Sequence, residues 1–142
     1  TYKKMPFLRI APICNGKIYV APRSYQGEEP GKLDIPMEDY IYACKTDTDK
    51  YAKEVENKYS NHITGQPEPR FSLKHLVKET NGVKKTIMLY ILPLNDEEQI
   101  HFTGGKFVTP EEIEMNSAQY SSFLKEEIDH LNIVTQMWEE FK

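Results

Sequence analysis

Apolar and polar residues alternate along two stretches of the chain, and each alternation surrounds a signal for a tight turn. The first stretch, 7–21, is interrupted by Asn15-Gly16, a pair that accepts the positive φ of a hairpin turn. The second stretch, 70–94, is interrupted by Asn81-Gly82, and its return strand, 84–94, is an almost continuous apolar run. Such a run is typical of a strand buried on both faces, which predicts a central place in the sheet. Shorter strands are predicted at 33–36, 40–43 and 104–108.

Helical periodicity replaces strand alternation in three segments. Between 48 and 61, Tyr51, Ala52, Val55 and Tyr59 share one apolar face, which predicts a helix. A second helix is predicted to begin after Thr109, with a proline at its first position. The segment 117–141 carries an apolar stripe, which predicts a long amphipathic helix with Trp138 and Phe141 on its buried side. Two hairpins with these helices predict an α+β fold with helices packed on a mixed sheet.

Composition narrows the class of protein. The 142 residues, of which 39% are hydrophobic, are enough for a single domain spanning 1–142. The net charge of −4 gives no electrostatic footprint for nucleic acid, and no apolar run is long enough to span a membrane. Cys14 and Cys44 lie beside apolar residues, which predicts buried free thiols in a reducing, cytoplasmic compartment.

Four phrases, in this order, resemble the Nudix superfamily. A strand ending in Arg23-Ser24 is followed by Leu33-Asp34-Ile35-Pro36, then by the helical segment 52–59, and finally by 102–113, which contains a Val-Thr-Pro-Glu-Glu-Ile run. The resemblance implies a Nudix-like α/β/α sandwich in which the segment 52–59 belongs to the box helix. It also implies a nucleoside diphosphate linked to a second moiety as ligand, and phosphoanhydride hydrolysis assisted by Mg²⁺ or Mn²⁺ as the ancestral reaction.

The box helix departs from the family pattern at its acidic positions. The resemblance keeps Glu54 as a catalytic and metal-binding carboxylate, but Lys45, Asn57 and Lys58 stand where the family has glutamates. A hard divalent cation needs several anionic oxygens, and lysines repel it. The sequence therefore predicts a divergent protein that binds a nucleotide-like ligand, with hydrolysis weak or absent and with no cofactor.

Two groups of residues are candidates for contacting that ligand. Arg23 and Tyr25 follow the strand that borders the family's groove. Lys45, Lys53 and Lys58 could act as a phosphate clamp in place of metal. The alternative interpretation is that these lysines are solvated surface residues, with Lys58 paired to Glu54 at the favourable helical spacing.

Two other functions remain open from the sequence. In one, the chain is an active hydrolase whose metal site is rebuilt from Glu54 together with Glu38 or Asp39. In the other, it is a small α+β protein-interaction domain. If Trp138 and Phe141 are exposed, they form an apolar surface, and a homodimer is then the expected use of that surface.

Overall fold

The computed structural model describes residues 7–40, 48–78 and 84–142, and these form seven strands and three helices. The strands are β1 (Phe7–Cys14), β2 (Lys17–Pro22), β3 (Leu33–Asp34), β4 (Met37–Tyr40), β5 (Arg70–Lys78), β6 (Lys84–Pro93) and β7 (Lys106–Val108). The helices are α1 (Thr48–Lys58), α2 (Pro110–Met115) and α3 (Ser122–Glu140), and three short 3₁₀ turns occupy Ser60–His62, Glu97–Gln99 and Ser117–Gln119.

The strands form one mixed sheet with the order β3-β2-β1-β6-β5. The strands β1 and β6 are parallel, with Phe7 opposite Ile87, and the other pairings are antiparallel. The strand β4 adds to β1, and β7 adds to β2. The predicted first hairpin is confirmed, with positive φ at Asn15 and Gly16. The strands on either side of the second turn also pair, although Asn81-Gly82 lies outside the described residues.

The central strand β6 joins the two hydrophobic cores. On one face Tyr90 packs in a cluster that contains Ala52 and Val55 of α1. On the other face Leu89 packs in a cluster that contains Ile128 of α3. Burial on both faces confirms the prediction for this strand. The helices therefore lie on both sides of a mixed sheet, and the predicted α+β class and α/β/α layering are confirmed.

The last helix differs from the prediction at both ends. It begins at Ser122 rather than near 117, because Ser121 caps it by accepting a hydrogen bond from the Leu124 N–H at 3.1 Å. It ends at Glu140, and Phe141 is 79% exposed rather than buried. The homodimer that such exposure suggested stays a prediction. Within the part of the chain that the structure describes, no helix is long and apolar enough to cross a membrane.

The first of the two cysteines behaves as the sequence predicts. Cys14 is buried in the core shared with α1, and burial raises the pKa of its thiol. Cys44 lies outside the described residues.

Candidate functional site

A groove of about 500 Å³ opens beside the end of β2. Its floor is formed by the segment from Asp34 to Glu38, and the loop that begins at Arg23 forms one side. The opposite side comes from the end of α1 and from the segment around Phe102. The groove therefore brings together residues from all four of the phrases that resemble the Nudix superfamily.

Aromatic rings form the wall on the α1 side of the groove. The His62 and Phe102 rings are stacked, with centroids 4.0 Å apart and planes within 8° of parallel. Tyr59 stands beside them, and its hydroxyl donates to the Glu38 carbonyl at 3.0 Å. Tyr19 fixes the Phe102 backbone, because its hydroxyl accepts from the Phe102 N–H at 2.8 Å. His62 is exposed whereas Tyr59 and Phe102 are half-buried, so the free face of the His62 ring suits stacking of a planar ring.

The floor of the groove rests on a buried arginine. Arg9 of β1 is fully buried, and its guanidinium meets three carboxylates. Its Nη2 donates to Asp34 at 2.7 Å and to Glu127 of α3 at 2.8 Å, while Nη1 donates to Glu38 at 2.5 Å. A buried charge is tolerated only when it is paired and hydrogen-bonded, and Arg9 meets both conditions.

Arg23 adds a second guanidinium on the groove side of the same carboxylates. Its Nη1 donates to Asp34 at 2.5 Å and to Glu38 at 3.2 Å, and its Nε donates to the Glu28 carbonyl at 2.8 Å. Its Cζ also lies 5.5 Å from the centre of the Phe123 ring. These bonds to the described part of the chain use Nε and Nη1, and none of them uses Nη2.

The protonation of these groups follows from burial and pairing. Burial alone would lower the pKa of Arg9, but Asp34, Glu127 and Glu38 outweigh it and hold the pKa above its ordinary value. Burial alone would raise the pKa of Asp34, but Arg9 and Arg23 hold it below its ordinary value. Burial raises the pKa of Glu38 in spite of the same two arginines. The groove floor is therefore an ionic network of fixed geometry.

The network continues between α3 and strand β5. The His75 Nε2 lies 3.1 Å from Glu127, and His130 of α3 lies 2.6 Å from the Ser72 hydroxyl. The sequence analysis missed Arg9, Glu127 and the two histidines. A signal was present for two of them, since Arg9 interrupts the apolar run of β1 and Glu127 falls on the apolar side of the last helix.

The structure places the candidate acids of the box region in separate environments. Glu38 is in the groove and is bonded to both arginines. Asp39 is paired with Lys58, which therefore does not make the predicted pair with Glu54. Glu54 is exposed on α1 and makes no hydrogen bond or ion pair with the described residues.

The predicted lysine clamp is not assembled by the two lysines that the structure describes. Lys53 lies 3.4 Å from Glu56 and lines a different cleft, whereas Lys58 is held at Asp39. Lys45 lies outside the described residues. Tyr25, the other candidate in the loop, is 84% exposed and lies beside Gly31 rather than in the groove.

These side chains do not provide a donor set that suits Mg²⁺ or Mn²⁺. The carboxylates of Glu38 and Asp34 are held by guanidinium groups, and Asp39 is held by an ammonium group. A divalent cation would have to displace these partners, leaving arginine charges buried and unpaired. Within the described residues, no group of three acidic, histidine or cysteine side chains is placed to hold a metal ion.

Solved structures share the fold of this chain at low sequence identity. A Nudix hydrolase from Nitrosomonas europaea is 12% identical, with a TM-score of 0.63 over 94% of this chain and 91% of that chain. The Nudix domain of Shewanella oneidensis NrtR, solved with ADP ribose, is 12% identical, with a TM-score of 0.58 over 100% and 91% of the two chains. The C-terminal domain of mouse MUTYH, solved with human PCNA, is 16% identical, with a TM-score of 0.56 over 98% and 90%.

Similarity in sequence is much weaker than similarity in structure. No sequence profile of a known protein family matches the chain, and no curated protein is significantly similar to it. The likeness to solved structures nevertheless covers almost the whole chain. This chain is a divergent protein of the Nudix fold.

Proposed function

We propose that the groove beside Arg23 binds a nucleotide-like ligand of the nucleoside-diphosphate type, and that the chain hydrolyses it weakly or not at all. The observation that carries this proposal is the contrast between the two sides of the groove. The aromatic wall at His62 is exposed, whereas the carboxylates of Asp34 and Glu38 are held by arginines.

The ligand would use the two sides in different ways. A base would stack on the wall formed by His62 and Phe102, and an anionic group would accept from Nη2 of Arg23. A base stacked on a protein ring typically contributes about 1–3 kcal/mol. The NrtR domain of the same fold was solved with ADP ribose, which supports this ligand as the first probe.

Weak or absent hydrolysis follows from the box helix in this proposal. At the two positions where the family pattern has paired glutamates, this helix carries Asn57 and Lys58, so the box is degenerate. Glu54 is the one carboxylate of the family pattern that the helix keeps. The competing proposal is metal-dependent hydrolysis with Glu54 as catalytic residue and metal ligand and with Glu38 or Asp39 as an additional ligand. What favours it is that Glu54 is exposed and uncommitted in the described structure.

Calorimetric titration of ADP ribose in the presence of a chelator tests the binding proposal. We expect saturable binding without metal, and we expect His62→Ala to weaken it at least tenfold. The matched control is His101→Ala, because His101 is exposed outside the groove and its backbone carbonyl, which accepts from His62, is retained. Equal affinities of His62→Ala and His101→Ala for ADP ribose would contradict the assignment of His62 to the stacking surface.

Chromatography of AMP release with added Mg²⁺ or Mn²⁺ separates the two proposals. We expect turnover to be absent, or slow and unchanged in Glu54→Gln. Turnover that is abolished by Glu54→Gln would favour the hydrolase instead. The absence of any ADP-ribose binding would favour a protein-interaction domain, a use of this fold that the MUTYH domain bound to PCNA illustrates.

A further inference from the structure

A second cleft, of about 400 Å³, lies between α1 and the loop that follows it. It is lined by Lys53 and Glu56 of α1, by Ile63, and by Gly65 and Gln66 of the loop, among others. It shares no lining residue with the groove beside Arg23. A ligand bound there would therefore contact a different set of residues from the ligand proposed above.

Glu56 is the unusual residue of this second cleft. Glu56 is only 5% exposed, and its Oε2 is buried without a hydrogen-bond partner among the described residues. Its Oε1 is 3.4 Å from the Lys53 ammonium, a long contact for an ion pair. Leaving a buried carboxylate oxygen unsatisfied is costly, because the oxygen loses its hydration without gaining a hydrogen bond.

The surroundings of Glu56 define what could satisfy it. The Lys53 ammonium is 3.4 Å from the Pro67 carbonyl and 4.0 Å from Glu68, so it is not firmly seated on any acceptor. Ile63 supplies an apolar surface at the same cleft. The unpartnered acceptor and the apolar surface both suit a cationic N–H donor on an aliphatic chain.

We propose that this second cleft is a binding site for a primary ammonium group on a short aliphatic chain, which donates to the Glu56 carboxylate once a side-chain rotation brings the buried Oε2 to the cleft surface. Burial raises the pKa of the unliganded Glu56, and a bound cation would oppose that rise. The loop is already held in place, since the Thr64 N–H donates to the Gln99 carbonyl at 2.9 Å and Gln99 donates back at 3.1 Å.

Amide chemical shifts of the full chain titrated with n-butylammonium chloride test this site. We expect saturable shifts confined to 53–66, while sodium butyrate at equal ionic strength produces none there. Glu56→Gln should weaken the apparent affinity at least tenfold. Glu68→Gln is the matched control, because Glu68 is a more exposed neighbour of Lys53, and we expect a change of less than twofold.

Lys53→Met should strengthen binding, whereas Glu56→Gln should weaken it. The Lys53 substitution removes the cation that competes for Glu56, so butylammonium should bind at least threefold more tightly. Thermal unfolding checks that each variant is folded. Unsaturable shifts, equal shifts with butyrate, or unchanged affinity in Glu56→Gln would overturn the proposal and would indicate that Glu56 simply carries a proton. Displacement by ADP ribose would contradict the independence of the two sites.

Discussion

At the scale of single residues, Arg9 connects the groove to the core. Its guanidinium holds Asp34 and Glu38 under the groove and Glu127 on α3. A buried ion pair adds little net stability compared with an apolar core, yet removal of one partner leaves the others charged and unpaired. Arg9 therefore contributes more to the geometry of the groove floor than to the favourable free energy of folding.

Arg9→Met tests this view of the network. We expect the free energy of unfolding in urea to fall by about 3–5 kcal/mol, because three carboxylates lose their shared donor. Arg70→Met is the control, since Arg70 is exposed and its Cζ lies 5.4 Å from the Trp138 ring. A cation–π contact at the surface contributes only about 0.5–1 kcal/mol. Equal losses in the two variants would show that the network is not strongly coupled.

At the scale of secondary-structure elements, the start of α3 depends on adjacent serines with different roles. Ser121 is buried and caps the helix through its hydroxyl, whereas Ser122 is exposed and its hydroxyl donates to Glu29 at 2.9 Å. Ser121→Ala should reduce the free energy of unfolding by about 1–2 kcal/mol, the usual cost of a lost cap. Ser122→Ala should cost less than about 0.5 kcal/mol, as surface changes usually do. Urea unfolding of both variants checks the difference, and a reversed order would place the cap elsewhere.

The sequence predicts elements better than it predicts contacts between them. Asn15-Gly16 and the continuous apolar run of β6 act through local conformation and burial, so their hairpin and central strand could be recognised from spacing alone. The predicted end of α3 was wrong because the apolar stripe continues through Phe141, whereas the helix ends at Glu140. Periodicity indicates which face is apolar, but it does not indicate whether another element covers that face.

The candidate site was harder to predict because its contacts span the chain. Arg9 and Glu127 are 118 positions apart, and no local pattern joins them. The resemblance to the Nudix box directed attention to Lys53 and Lys58, which the structure places in different surroundings. Arg23 was identified from its position after β2, whereas His62 followed a helix whose polar end gave no sign of an aromatic wall.

At the scale of the whole molecule, the net charge of −4 hides an uneven distribution of ionic groups. Three carboxylates and two guanidinium groups are concentrated between the sheet and α3, and two histidines border them. The pH dependence of global stability should therefore depend on a few buried or half-buried groups more than on the many exposed carboxylates.

His130 provides the clearest test of that dependence. Burial lowers the pKa of His130 below its ordinary value of 6.5, and the nearby His75 lowers it further against an opposing effect of Glu127. The folded chain then binds fewer protons at this site than the unfolded chain does. Its stabilising contribution is present above pH 6.5 and is lost as the pH falls from there through the lowered folded pKa.

Urea unfolding between pH 8 and pH 5 of the wild type and His130→Gln measures this contribution. We expect the wild type to lose stability relative to His130→Gln as the pH falls, because the glutamine binds no proton. The raised pKa values of Glu38 and Glu56 act in the opposite direction at lower pH, but both proteins retain those residues. His101→Gln, at an exposed position, should keep the pH profile of the wild type. If the profiles of the wild type and His130→Gln run parallel, the half-buried histidine does not govern stability in this range, and the pairing of His75 with Glu127 becomes the group to vary.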